Sequence, residues 1–369
     1  MTLVDECPPA TVRDPLHVLF PEARRRRRRR RRLLGFVVLV GIVAIIAAVA
    51  LVRASSTAKS PARHGAAPTG QAAAGMPAEI VTWEHFRLDV LSSVTGHLVR
   101  TLATDVGEFR GFPSLSVAPS GVVFFDNHAD VGSSPVDRIY RVRLGGGTPT
   151  SVADGRTPAV SPNGRLLAYV TNDPVSATVV NEAITIEDLR THVLRSWTDT
   201  APQADLWALS WSPDSRLLSF SQTSWPPGGA PTPRGVTTSY RILDTAAPVL
   251  AGAAAPRIPL APGVAWAGFL GETRSGMLVG IGEVHLHRGL RLVAIDVRSG
   301  RTMRSLVTIP GAAGAAVQAD ASGRHLVIAA SGAGALGFGR LYRWTDGSAV
   351  PTSIAPDVLV AAWVPDGSR

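Results

Sequence analysis

Asp126, His128 and Asp130 stand at alternate positions with Asn127 among them, so oxygen and nitrogen donors recur every second residue. Three such ligands could clasp calcium or another divalent cation, because hard cations collect carboxylate oxygens and imidazole serves transition metals. The same residues suit a solvated loop at 127–137, in which Asp and Asn hydrogen-bond their own backbone, and that is the plainer account. His285 and His287 also alternate, but they flank a predicted loop and read as surface residues.

Other chemistry is thin. Residues 332–337, Gly-Ala-Gly-Ala-Leu-Gly, match a dinucleotide fingerprint but precede a predicted strand. Without a helix N-terminus to hold pyrophosphate they read as a glycine-rich loop. The chain has no nucleophile elbow of the form Gly-x-Ser-x-Gly, no His-Glu-x-x-His pair and no phosphate-binding P-loop. Trp225, Pro226, Pro227 and Arg234 belong to the longest predicted loop and set an aromatic ring among semi-rigid prolines. Such a segment could anchor an envelope protein or polymer, or be a tolerated insertion.

The basic residues are unevenly placed. Of 37 Lys and Arg residues, 13 lie in the first 77 positions, against four of the 28 acids, so residues 78–369 are electroneutral. Nucleic acid is therefore not an expected partner of the long C-terminal part, since sequence-independent affinity comes from bases that neutralise phosphates. A single cysteine, Cys7, excludes intramolecular disulfides and multi-cysteine zinc sites.

Residues 33–52 are 20 uncharged, almost wholly apolar positions, which as a helix would be about 30 Å long and match a bilayer core. Arg24, Arg25, Arg26, Arg27, Arg28, Arg29, Arg30, Arg31 and Arg32 precede them without interruption. The positive-inside rule then puts residues 1–32 in the cytoplasm, their arginines against lipid headgroups, and the rest outside. A cleaved signal peptide is the competing reading, and both the n-region and the apolar run are long for one. Residues 53–77, mostly Ala, Gly, Ser, Thr and Pro, read as a flexible linker.

The remainder, 78–369, repeats itself. Ala-Pro-Ser-Gly at 118–121 returns as Ser-Pro-Asn-Gly at 161–164, Ser-Pro-Asp-Ser at 212–215, Asp-Ala-Ser-Gly at 320–323 and Val-Pro-Asp-Gly at 364–367, with a weaker copy near 268. Proline presets the first corner of a tight turn, Asn or Asp takes the next and Gly accepts positive φ, so each phrase joins two antiparallel strands. The markers recur every 43–55 residues, and each is followed by a third and often a fourth alternating run. Four antiparallel strands at that period make a propeller blade.

Residues 80–83, 86–91 and 98–102 look like the last three strands of a unit whose first is missing, and 358–364 like a first strand alone. Joined, they would close the ring and remove its open edges. The expected fold is thus all-β, a six-bladed β-propeller ectodomain preceded by one transmembrane helix.

The phrase Ser-Pro-Asn-Gly-Arg-Leu-Leu-Ala-Tyr resembles the repeats of TolB-type propellers, a WD-like family common in bacterial envelope proteins. The resemblance implies a fold and carries no catalytic residues onto this chain. It leads to a membrane-anchored, noncatalytic binding or scaffolding module outside the cell. Two alternatives stay open. One is a signalling protein, loosely similar to anti-sigma-like layouts, whose tail engages a cytoplasmic regulator. The other is a propeller hydrolase of the metal-dependent lactonase kind with ligands in the channel.

Overall fold

The computed structural model describes residues 75–368 except 85, 105, 107–113, 132–133, 177–178, 199–203, 225–235, 248–254, 273–275 and 333–338. The expected spanning segment, the arginine run and most of the linker lie outside the described residues, among which no helix is long and apolar enough to cross a membrane.

Six antiparallel sheets form the blades, and the first is made from both ends of the domain. β1 (Glu79–Glu84), β2 (Arg87–Ser92) and β3 (Leu98–Ala103) come from its start, and β23 (Val360–Trp363) from its end. The sheet order is β23-β1-β2-β3, with Ile80 paired to Trp363 and Trp83 to Val360. The second blade holds β4 (Leu115–Val117), β5 (Val122–Val131), β6 (Ser134–Arg143) and β7 (Thr150–Asp154). The third holds β8 (Arg156–Val160), β9 (Leu166–Ser176), β10 (Val179–Asp188) and β11 (Leu194–Thr198).

The fourth blade is β12 (Ala204–Trp211), β13 (Leu217–Ser224) and β14 (Thr237–Asp244), a three-stranded sheet where the repeat predicts four. Among the described residues its outer edge carries a bridge from Arg241 to Arg257, with the Ile258 N–H donating to the Tyr240 carbonyl and the Ile242 N–H to the Pro256 carbonyl. Pro256, Pro259 and Pro262 limit pairing along this edge, since proline cannot donate to a ladder. The fifth blade is β15 (Val264–Glu272), β16 (Leu278–Leu286), β17 (Gly289–Asp296) and β18 (Thr302–Pro310). The sixth is β19 (Ala312–Ala319), β20 (His325–Gly332), β21 (Gly339–Thr345) and β22 (Thr352–Val358).

Each pair of neighbouring blades shares an apolar cluster, and six such clusters complete the circuit. Every blade therefore buries both faces, which is why its strands carry apolar residues at successive positions. Trp83 packs edge-on against Phe125 between the first and second blades, their ring centroids 5.6 Å apart. Trp266 of the fifth blade reaches the fourth by donating its indole N–H to Ser219 Oγ at 3.0 Å. Gly280 makes room for that ring, because a Cβ there would lie 2.0 Å from Trp266 Cη2.

The tight turns follow the residue logic of the repeat. In the third blade the Gly164 N–H donates to the Ser161 carbonyl at 2.7 Å, Gly164 has φ +70°, and Ser161 Oγ takes the Leu166 N–H. In the fourth, Ser215 stands in the glycine position and still adopts φ +62°, while its Oγ accepts the Asn163 N–H from the neighbouring turn at 3.0 Å. Met76 is buried between the sixth and first blades, and the Pro77 carbonyl accepts a hydrogen bond from Ser93 Oγ.

Candidate functional site: the hairpin face of the propeller

In each blade the inner strand starts, and the second-to-third hairpin ends, on the same rim. Sequence predicts long loops there at 127–137, 171–182, 222–238 and 331–339. For the first two the structure shows strands instead. β5 runs to Val131 and pairs with Ser134, so only two residues separate it from β6. β9 runs to Ser176 and pairs with Val179 in β10. The alternating residues on each side continue the antiparallel ladder, and a two-residue connection suffices to close it. Both hairpins outrun their inner strands: β4 stops opposite Phe125 and β8 starts opposite Val170, leaving six residues, about 20 Å, beyond each.

Asp126, His128 and Asp130 accordingly lie in a strand, opposite Ile139, Asp137 and Pro135. Of the three side chains only that of Asp126 is described, and it is a buried clamp. Its Oδ1 accepts the Ser114 N–H at 2.9 Å and its Oδ2 the Thr157 N–H at 2.6 Å, which ties the second blade to the third. Burial pushes this carboxyl up to about 6, against the two N–H groups that favour its ionised form. Thr157 has φ +52°, a left-handed conformation costly for a β-branched residue, and Asp126 holds the backbone there. Among the described residues no group of three His, Cys, Asp or Glu could hold a metal.

The next joint repeats the device. Glu182, at the root of the β9–β10 hairpin, accepts the Leu206 N–H of the fourth blade at 2.5 Å and pairs with the Arg156 guanidinium at 2.5 Å. Arg156 also bonds Asp205 at the start of β12. Two carboxylates thus share one cation. Burial, with repulsion from Asp205, pushes Glu182 up despite Arg156. Sequence reasoning missed this triad, although each member is a charge set in an alternating strand.

The inner strands carry Arg156, Asp205 and Glu272 as their only acidic or basic residues. Their hydroxyls serve the backbone: Ser116 Oγ accepts the Val160 N–H at 2.9 Å and Ser210 Oγ the Phe269 N–H at 3.4 Å. Glu283, also missed, sits near the hairpin end of β16 with 9% of its surface exposed. Burial alone pushes its carboxyl up to about 8. The signal lay in the sequence as one acid in the apolar run Leu-Val-Gly-Ile-Gly-Glu-Val, two residues before His285. His285 and His287 are exposed. Trp225, Pro226, Pro227 and Arg234, like Arg24 to Arg32, lie outside the described residues. A shallow groove of about 350 Å³ at the outer rim, between β3 and the β6–β7 turn, is lined by uncharged residues including Thr101, Thr104 and Pro149.

No protein-family model matches the chain, and no curated protein matches it. Solved structures do. TolB from Acinetobacter baumannii aligns with a TM-score of 0.50 at 18% identity, over 78% of this chain and 66% of that one. A putative TolB from Agrobacterium tumefaciens gives 0.49 at 15% identity, over 76% and 89%. The periplasmic gluconolactonase of Pseudomonas aeruginosa gives 0.41 at 12%, over 78% and 96%. At these identities the likeness concerns the fold, a six-bladed propeller with TolB proteins among its structural neighbours.

Proposed function

We propose that the chain is a noncatalytic binding module, tethered to the membrane through residues 33–52 and displayed outside the cell, which engages an envelope protein or polymer with its hairpin face. The observation that carries this reading is the pair of hairpins that neighbouring blades send past their inner strands. Each root is fastened to the following blade by a buried carboxylate, Asp126 or Glu182. The fastening holds the root of each hairpin in place, and a root placed in advance lowers the ordering cost of binding. The segment holding Trp225 and Arg234, outside the described residues, joins the rim ends of β13 and β14 in sequence. In this reading Arg24 to Arg32 set topology and contact anionic lipid.

The test is proximity labelling in the native cell, with the label fused to either end of the chain. Recurrent partners should appear with the C-terminal label and vanish when residues 129–136 are replaced by a two-residue turn. Labelling confined to the N-terminal fusion, with a cytoplasmic regulator as the product, would overturn the proposal.

A further inference from the structure

The outer strands β3, β11, β18 and β22 start on the face of the tight turns, opposite the hairpin rim. The four most exposed large apolar side chains among the described residues, Val350, Val193, Leu194 and Leu98, all stand at that end. Val350 is 72% exposed in the turn before β22, and Val99 and Met303 add to the set on β3 and β18. The hairpin rim has Phe86, Val236 and Leu286, one to a blade and each less than half exposed. On the turn face the apolar residues come in adjacent pairs at equivalent places, His97-Leu98-Val99-Arg100 in the first blade and His192-Val193-Leu194-Arg195 in the third. Both arginines are used inside the fold: Arg100 donates to the Leu144 carbonyl at 2.7 Å and Arg195 to the Thr245 carbonyl at 2.9 Å, each in the next blade. The pairs before them are left uncovered. An outer strand is ordinarily kept polar, so apolar pairs repeated at one end of two blades mark a surface that something covers.

The acids of this face are largely committed. Asp188 is paired with Arg165, Glu187 with His192, Asp244 with Arg216 and Asp346 with Arg304. Asp214, Asp296 and Asp320 accept hydroxyls and N–H groups of their own turns. Arg143, Arg190, Arg301 and Arg324 are exposed and make no side-chain hydrogen bond or ion pair among the described residues, against Glu272 and Asp366 as uncommitted acids.

The chain also joins the domain here. Met76 packs between the sixth and first blades, and Arg343 Nη1 lies against its Sδ while donating to the Ser93 carbonyl at 3.0 Å. This places the entry between the turn of Val350 and the turn of Leu98. Residues 53–74 are all that separate Gly75 from the apolar run at 33–52. The hairpin rim lies farther along by the six residues of β1, about 20 Å.

We propose that the turn face rests on the outer surface of the phospholipid bilayer. Its exposed Leu, Val and Met side chains enter the boundary between headgroups and acyl chains, and its four free arginines meet lipid phosphate. The proposal rests on the reading of residues 33–52 as a spanning segment and deepens the binding-module reading, since it turns the hairpin face away from the membrane.

The experiment uses the full-length Cys7→Ser chain in vesicles of phosphatidylcholine and phosphatidylglycerol that contain acyl-brominated lipid, with a bimane label on Leu194→Cys, Val350→Cys or His287→Cys. Quenching at the first two sites should exceed that at the third by about twofold or more. The excess should fall in phosphatidylcholine alone, and an excess indifferent to lipid charge overturns the role of the arginines. Leu98→Ser with Val99→Ser should lower quenching at Val350→Cys and leave Tm unchanged, because both side chains already face solvent. Failure of the chain to float with the vesicles overturns this proposal together with the spanning segment. Flotation with equal quenching at all three sites overturns this proposal alone. A blue-shifted but unquenched label assigns the face to a second copy of the chain and overturns it as well.

Discussion

Asp126 and Glu283 are carboxyls of one rim in different circumstances, and their substitutions should differ in sign. Asp126→Ala strands the Ser114 and Thr157 N–H groups inside the joint between the second and third blades. The expected loss is about 2 to 3 kcal/mol, measured by urea unfolding. Glu283→Gln removes a buried group that favours its neutral form. Below about pH 4 folded and unfolded chains both hold that proton. Between 4.5 and 8 the folded chain holds it and the unfolded chain does not, so stability falls as pH rises through that window. The variant should match the wild type at pH 4 and exceed it at pH 8 by about 1 to 3 kcal/mol, read as a higher Tm. A difference that does not grow with pH would refute the assignment.

At the scale of elements, the blades depend on shape at particular strand positions. Gly280→Ala forces a Cβ into the Trp266 ring, which is held by Ser219, and overpacking of this kind costs about 1 to 3 kcal/mol. Differential scanning calorimetry should show the loss, and Trp266→Leu in the same chain should recover part of it by vacating the space. The arms belong to the same scale. Their alternation was visible in the sequence, but Asn127, Asp130, Asn172, Asp173 and Pro174 are turn-favouring residues and argued for loops. The ladder continues through them because pairing is decided by the partner strand across the hairpin as well as by local preference.

For the whole molecule, closure is the decisive feature. β23 pairs with β1 and contributes to the clusters on both sides of the first blade. Deleting residues 358–369 removes it and opens an edge along β1. The truncated chain should lack a cooperative unfolding transition by circular dichroism, whereas a soluble, equally stable product would show that the closing strand is dispensable.

Turn phrases, their spacing and the unmatched strands at both ends were legible in the residues, because a tight turn is dictated locally by Pro, Asn, Asp and Gly and a blade by its period. That much determined a six-bladed propeller, and the likeness to TolB structures agrees with it. The charge partition and the apolar run at 33–52 were likewise properties of the chain alone. Which polar residues meet was not. Arg156, Glu182 and Asp205 are 26 and 49 positions apart in their contacts, and Asp126 finds its acceptor role 31 residues away. Such encounters arise from packing one blade on the next, and the desolvation that shifts Asp126 and Glu283 exists only once both blades are in place. Tertiary structure also decided that one of two similar acids is bonded and the other is left facing apolar walls.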